Sequence, residues 1–83
     1  MTFQSKLISD FKKQGYIVLK HIRLNENGFP DLQLLKNGIS IFIEIKEGKD
    51  TLKPLQMYQI DRLIKQGFEA YCLHETKGKI YPL

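Results

Sequence analysis

The chain has 83 residues, which allows one domain with a modest core. Hydrophobic residues make up 42% and charged residues 27%, which excludes a disordered chain. The formal charge is +4, from 13 Lys and Arg against 9 Asp and Glu, a balance that permits nucleic-acid binding without requiring it.

Eleven of the 13 cations are Lys, which suits non-specific phosphate attraction better than bidentate base reading. The single cysteine, Cys72, excludes an internal disulfide and a cysteine-based zinc site. It sits in the apolar run EAYCL and reads as a small buried hydrophobe, in keeping with a reducing cytoplasm. The opening MTFQSKLISDFKKQ alternates apolar and charged residues and does not read as a signal peptide. No run reaches transmembrane length, so no membrane partner is expected.

In chain order, Phe3, Leu7, Ile8 and Phe11 recur at helical spacing, with Thr2 as a cap and Gly15 as a stop. YIVLKHIR, 16–23, is rich in β-branched and aromatic residues and reads as a strand. LNENGFP, 24–30, is a loop punctuated by Asn, Gly and Pro. The stretch that follows contains Asn37-Gly38, the strongest short hairpin signal. A two-residue turn there pairs Lys36 with Ile39, Leu34 with Ile41, Leu32 with Ile43 and, by extension, Asp31 with Glu44.

The period of two then sorts the hairpin into two faces. Leu32, Leu34, Ile39, Ile41, Ile43 and Ile45 share one, which is expected to supply the core. Asp31, Gln33, Phe42, Glu44 and Lys46 share the other. EGKDTLK, 47–53, is a polar loop, and Pro54 starts a helix that Gly67 stops. Ile60, Leu63 and Ile64 form its inward stripe, with Gln56 on that stripe one turn earlier. FEAYCL reads as a strand, HETKG as a turn and KIYPL as a short final strand. The order is α-β-β-β-α-β with one further strand, within a single domain spanning 1–83.

Asp31 and Glu44 opposed on one sheet face repel each other, so they need a shared proton or a cation between them. Hard carboxylate oxygens select Mg2+ or Mn2+, with waters and a substrate phosphate completing the shell. Lys46, two residues along the same face, would hold an attacking water and stabilise charge on the phosphate. Plainer readings stand beside these. Glu44 and Lys46 also fit a surface ion pair, and Asp31 after Pro30 also fits a turn residue. His21 and His74 read as solvated or structural.

GFPD followed by EIK resembles the PD-(D/E)xK nuclease signature and is similar to the VRR-NUC family. GFPDLQLLKNG, IFIEIKEGKDTLKPLQ and IDRLIKQGFEAYCL follow that family's order of motifs over most of the chain. The resemblance implies a restriction-endonuclease-like α/β fold: an α-β-β-β-α-β core whose mixed central sheet is flanked by helices. It implies a metal-dependent endodeoxyribonuclease cutting branched DNA such as four-way junctions. It also implies a homodimer, like small stand-alone members, and an origin in a bacteriophage acting inside its host. Asp31 and Glu44 would be metal ligands, helped by the backbone carbonyl of Ile45, with Lys46 as the catalytic lysine. Gln56 matches the family's glutamine and would reach the site or the scissile phosphate.

Two departures accompany the likeness. Relatives often carry an acid in the first helix, where this chain has Gln4, a neutral oxygen donor or an unused position. Lys53 replaces the usual small polar cap before Pro54. Lys49 and Lys53 are expected DNA contacts, as are Arg62, Lys12 and Lys13, although an ordinary solvated face explains them equally. Leu55 and Tyr58 on the outer side of the second helix are the expected subunit surface. The alternative function is a catalytically weak or inactive module that binds structured DNA with the nuclease fold, or a purely structural subunit of a nucleoprotein assembly.

Overall fold

The computed structural model describes residues 1–83. Two helices flank a five-stranded mixed sheet. The elements run α1 (Phe3–Lys13), β1 (Ile17–Lys20), β2 (Leu32–Lys36), β3 (Ile39–Lys46), α2 (Pro54–Lys65), β4 (Glu69–His74) and β5 (Gly78–Tyr81). Spatial order follows sequence order, and β3 is the central strand. All neighbours are antiparallel except β3 and β4, which run parallel with α2 as their crossover.

Thr2 caps α1, its Oγ1 accepting the Ser5 N–H at 3.0 Å, as the sequence predicts. Asn37 and Gly38 both take positive φ, 52° and 76°, the requirement of a type I′ turn. The turn sets the expected register: Leu32 pairs with Ile43, Leu34 with Ile41 and Lys36 with Ile39.

β1 ends at Lys20, three residues short of the strand expected over 16–23. Only one backbone bond continues beyond it, from His21 N–H to Asp31 C=O at 2.8 Å. The next partner in register is Pro30, which has no N–H to give, so the ladder stops there.

The core is split across both faces of the sheet rather than confined to the isoleucine face. On one face Leu32, Leu34 and Ile43 pack against Ile8 and Phe11 of α1 and against Tyr16. On the other, Phe42, Ala70 and Cys72 pack against Ile60 and Leu63 of α2. Parallel neighbours are usually covered on both sides, and β3 and β4 obey that rule. The inward stripe of α2 is Gln59, Ile60 and Leu63, while Ile64 is turned outward. Gln59 takes the inward place because its amide reaches the preceding loop: Nε2 donates to Asn27 C=O at 3.0 Å and to Glu26 at 3.2 Å.

Candidate active site

β3 carries two charges on the face that α2 covers. Glu44 and Lys46 are each only 4% exposed. Such burial is costly unless the charges are partnered. Lys46 Nζ lies 3.4 Å from Glu44 Oε2 and 3.3 Å from Asp50 Oδ2. Asp50 was not anticipated. It lies in an irregular loop, where a separation of four residues carries no signal.

Asp31 stands just before β2, half-buried, at the edge where the β2–β3 ladder has ended. Its carboxylate crosses to β3, and Oδ2 accepts the Ile45 N–H at 2.8 Å. The ladder's last pair is Leu32 with Ile43, so Asp31 and Glu44 meet as neighbouring carboxylates beyond it. Burial first, and then the Asp31 charge, push Glu44 up to about 7 against the pull of Lys46. The same setting drives the buried Cys72 thiol up to about 11, mainly through desolvation.

These residues match what a small divalent cation needs. The donors are hard carboxylate oxygens, and the Ile45 N–H engages only Oδ2 of Asp31. An extended residue directs its N–H and C=O to the same edge, so the Ile45 carbonyl points toward Asp31's side. No group of three or more His, Cys, Asp and Glu side chains is placed to hold a metal, and Asp31 with Glu44 is a pair. A pair suffices for Mg2+ or Mn2+, which keep waters and substrate oxygens in their shell.

The other expected residues divide. Gln56 begins α2 and faces its own helix start: Oε1 accepts the Lys53 N–H at 2.9 Å, and its NH2 donates to nothing in the chain. Gln4 is half-buried on α1, whose apolar residues cover the opposite face, and no hydrogen bond joins it to the carboxylates. Lys53 directs its ammonium to Asp50 Oδ1 at 3.2 Å, and Lys49 is exposed without an ion-pair partner. Arg62 is engaged with Glu26. Lys12 and Lys13 end α1, away from the face that bears Glu44. Leu55 is half-exposed and packs on Gly28, while Tyr58 is exposed with the Arg62 guanidinium over its ring.

Both histidines are structural rather than solvated. His74 is buried, accepting the Thr76 and Lys77 N–H groups on Nδ1. Its hydrogen is therefore on Nε2, which donates to Gly48 C=O at 2.8 Å. Glu75 adds a second tie to Gly48 N–H at 2.8 Å. Together they fasten the loop that carries Asp50 to the end of β4. His21 bonds Pro30 and Gln33.

A mixed five-stranded sheet between helices, with two carboxylates and a lysine converging at the end of its central strand, defines a protein of the restriction-endonuclease-like fold. The VRR-NUC domain model matches residues 4–76. The chain belongs to the VRR-NUC family of nucleases. A solved VRR-NUC domain shares 27% identity and superposes with a TM-score of 0.72 over 83% of this chain and 76% of its own. Hjc of Archaeoglobus fulgidus, a Holliday junction resolvase, shares the fold at TM-score 0.65 and 22% identity, over 87% of this chain and 64% of its own. A further VRR-NUC domain protein, 28% identical, matches 82% of this chain and 52% of its own at TM-score 0.50. No curated protein matches the chain.

Proposed function

We propose that the chain is a divalent-metal-dependent endodeoxyribonuclease that hydrolyses phosphodiester bonds in branched DNA, such as four-way junctions. One observation carries the reading: Glu44, raised to about 7 by burial and the neighbouring Asp31 carboxylate, lies 3.4 Å from the buried Lys46 ammonium. Perturbed titratable groups of this kind cluster at functional sites. Asp31, Glu44 and the Ile45 carbonyl would hold Mg2+ or Mn2+. The cation supplies Lewis-acid polarisation of the phosphate and a lower pKa for a bound water.

The chain's own side chains do the rest. Lys46 orients the attacking water and stabilises negative charge as the phosphorus becomes pentavalent. Gln56 keeps its carbonyl on the helix start and offers its free NH2 to a phosphate oxygen. Lys49 and Lys53 flank the site as backbone contacts. The branched substrate rests on likeness to small stand-alone family members, and no helix here is long and apolar enough to cross a membrane. A homodimer in a reducing cytoplasm, that of a bacterial host of a phage, completes the proposal. With 13 of 83 residues buried, Leu19, Ile22, Ile39 and Phe68 exposed, and β1 on a sheet edge, the chain has apolar surface to share with a second copy.

Labelled four-way junction, flap and linear duplex incubated with Mg2+ or Mn2+ test the reading. Cleavage that Lys46→Ala and Asp31→Asn reduce by about 10²–10³ or more is expected. No cutting of any substrate, or cutting unchanged in Lys46→Ala, refutes it. That a neutral Gln4 stands where relatives often carry an acid, with no hydrogen bond to the carboxylates, favours a second reading, a nuclease-fold module that binds structured DNA and cuts weakly. Calorimetry separates them: Mn2+ binding that depends on Asp31 and Glu44 counts against the second.

A further inference from the structure

We infer that His21 is a positioning residue that holds the Asp31 carboxylate in place for a divalent cation. The inference rests on the nuclease reading above and names a device within the same site. Asp31 sits at a weak point of the fold. It ends an irregular segment running from His21 to Asp31, and Pro30 before it cannot donate to a ladder. Left alone, the bond from Ile45 N–H to Oδ2 would be the one backbone bond tying the carboxylate to β3.

His21 grips this segment at two successive carbonyls. Its backbone N–H donates to Asp31 C=O at 2.8 Å. Its ring Nδ1 meets Pro30 C=O at 2.9 Å. A carbonyl oxygen only accepts, so Nδ1 carries the hydrogen and donates it. The ring is itself held on three sides. Nε2 faces Gln33 Oε1 at 3.0 Å, and with the ring hydrogen on Nδ1 the amide turns so that its NH2 donates to Nε2 and its oxygen accepts from Ser40 Oγ of β3, 3.5 Å away. The ring centroid is 5.5 Å from that of Phe29 and 6.4 Å from that of Phe42 in the core. A rigid ring anchored in the core thus fixes the backbone on which the carboxylate stands. Groups that orient a ligand in this way commonly decide metal affinity without touching the metal.

The test uses the full chain with His21→Ala, His21→Asn and His21→Gln. Asn places an amide N–H where Nδ1 was, whereas Gln places it where Nε2 was. Mn2+ affinity by calorimetry, the thermal midpoint in EDTA and the amide resonance of Ile45 are measured for each. His21→Ala is expected to weaken Mn2+ binding by about 10–100-fold and to move the Ile45 amide resonance, while His21→Asn recovers to within roughly threefold of wild type and His21→Gln does not. Wild-type affinity in His21→Ala, or equal loss in the Asn and Gln variants, overturns the inference. If His21→Ala fails to fold, the comparison of Asn with Gln decides. If the wild-type protein binds no Mn2+, the nuclease reading fails instead. Positioning is then judged on the metal-free Ile45 amide, whose resonance unmoved in His21→Asn and moved in neither other variant overturns it.

Discussion

Glu44→Gln is expected to stabilise the metal-free protein at pH 8 while abolishing cation binding. In the folded chain burial and the Asp31 charge raise the Glu44 carboxyl from 4.5 to about 7. The folded state therefore holds this proton more tightly than the unfolded chain does. The stability that this proton contributes is fully present below about pH 4.5 and is lost as pH rises through 7. At about 1.4 kcal/mol per pH unit, the loss is on the order of 3 kcal/mol by pH 8. Glutamine has nearly the same shape and stays neutral, so the variant lacks this slope. In a domain of this size the difference corresponds to roughly 10–20 °C in Tm at pH 8.

Urea unfolding in EDTA at pH 5, 6, 7 and 8 measures both proteins, with stability obtained by linear extrapolation. Subtracting the variant's profile from the wild type's cancels the titrating groups that do not interact with Glu44. Parallel profiles would refute the account of Glu44 as a buried, repelled carboxylate. The cation then reverses the ranking. A free Mn2+ concentration of 1,000 times Kd adds about 4.1 kcal/mol to the wild-type protein at pH 8 and nothing to the variant.

Gly28→Ala is expected to cost about 2–4 kcal/mol in urea unfolding, because φ is +75° and an added Cβ would meet Leu55 Cγ at 2.7 Å. Cys72, buried and raised to about 11, is expected to resist Ellman's reagent at pH 8 in the native protein and to react on unfolding in urea. Rapid native reaction would contradict its burial. Replacing Lys49 and Lys53 together by Ala is expected to weaken DNA binding uniformly across sequences, with the slope of log K on log salt reduced by about 2. The unfolding midpoint should not move, since the Lys53–Asp50 pair is exposed.

Local chemistry made much of this protein legible from its residues. Asn37-Gly38 dictates a turn with two positive φ angles, and that turn alone sets which residues of β2 and β3 pair. Once the register is set, period-two alternation separates Glu44 and Lys46 from the isoleucines and brings Asp31 near Glu44. Thr2 and Pro54 mark helix starts through bonds or constraints within one turn. Each of these depends on neighbours a few residues away.

Other features depend on partners far along the chain, and the tertiary structure decided them. β1 stops early because its register brings it to Pro30. Ile64 is turned out because Gln59 finds the 26–27 loop 32 residues earlier. Lys46 acquires Asp50 because His74 and Glu75 tie down the loop between β3 and α2. Asp31 spends one oxygen on the Ile45 N–H, a bond that hairpin arithmetic does not contain. The sequence by itself determined which side chains share a face, because alternation and turn geometry are local. Only the folded chain decided how those charges are buried, partnered and aimed, because desolvation and hydrogen bonding depend on everything packed around them.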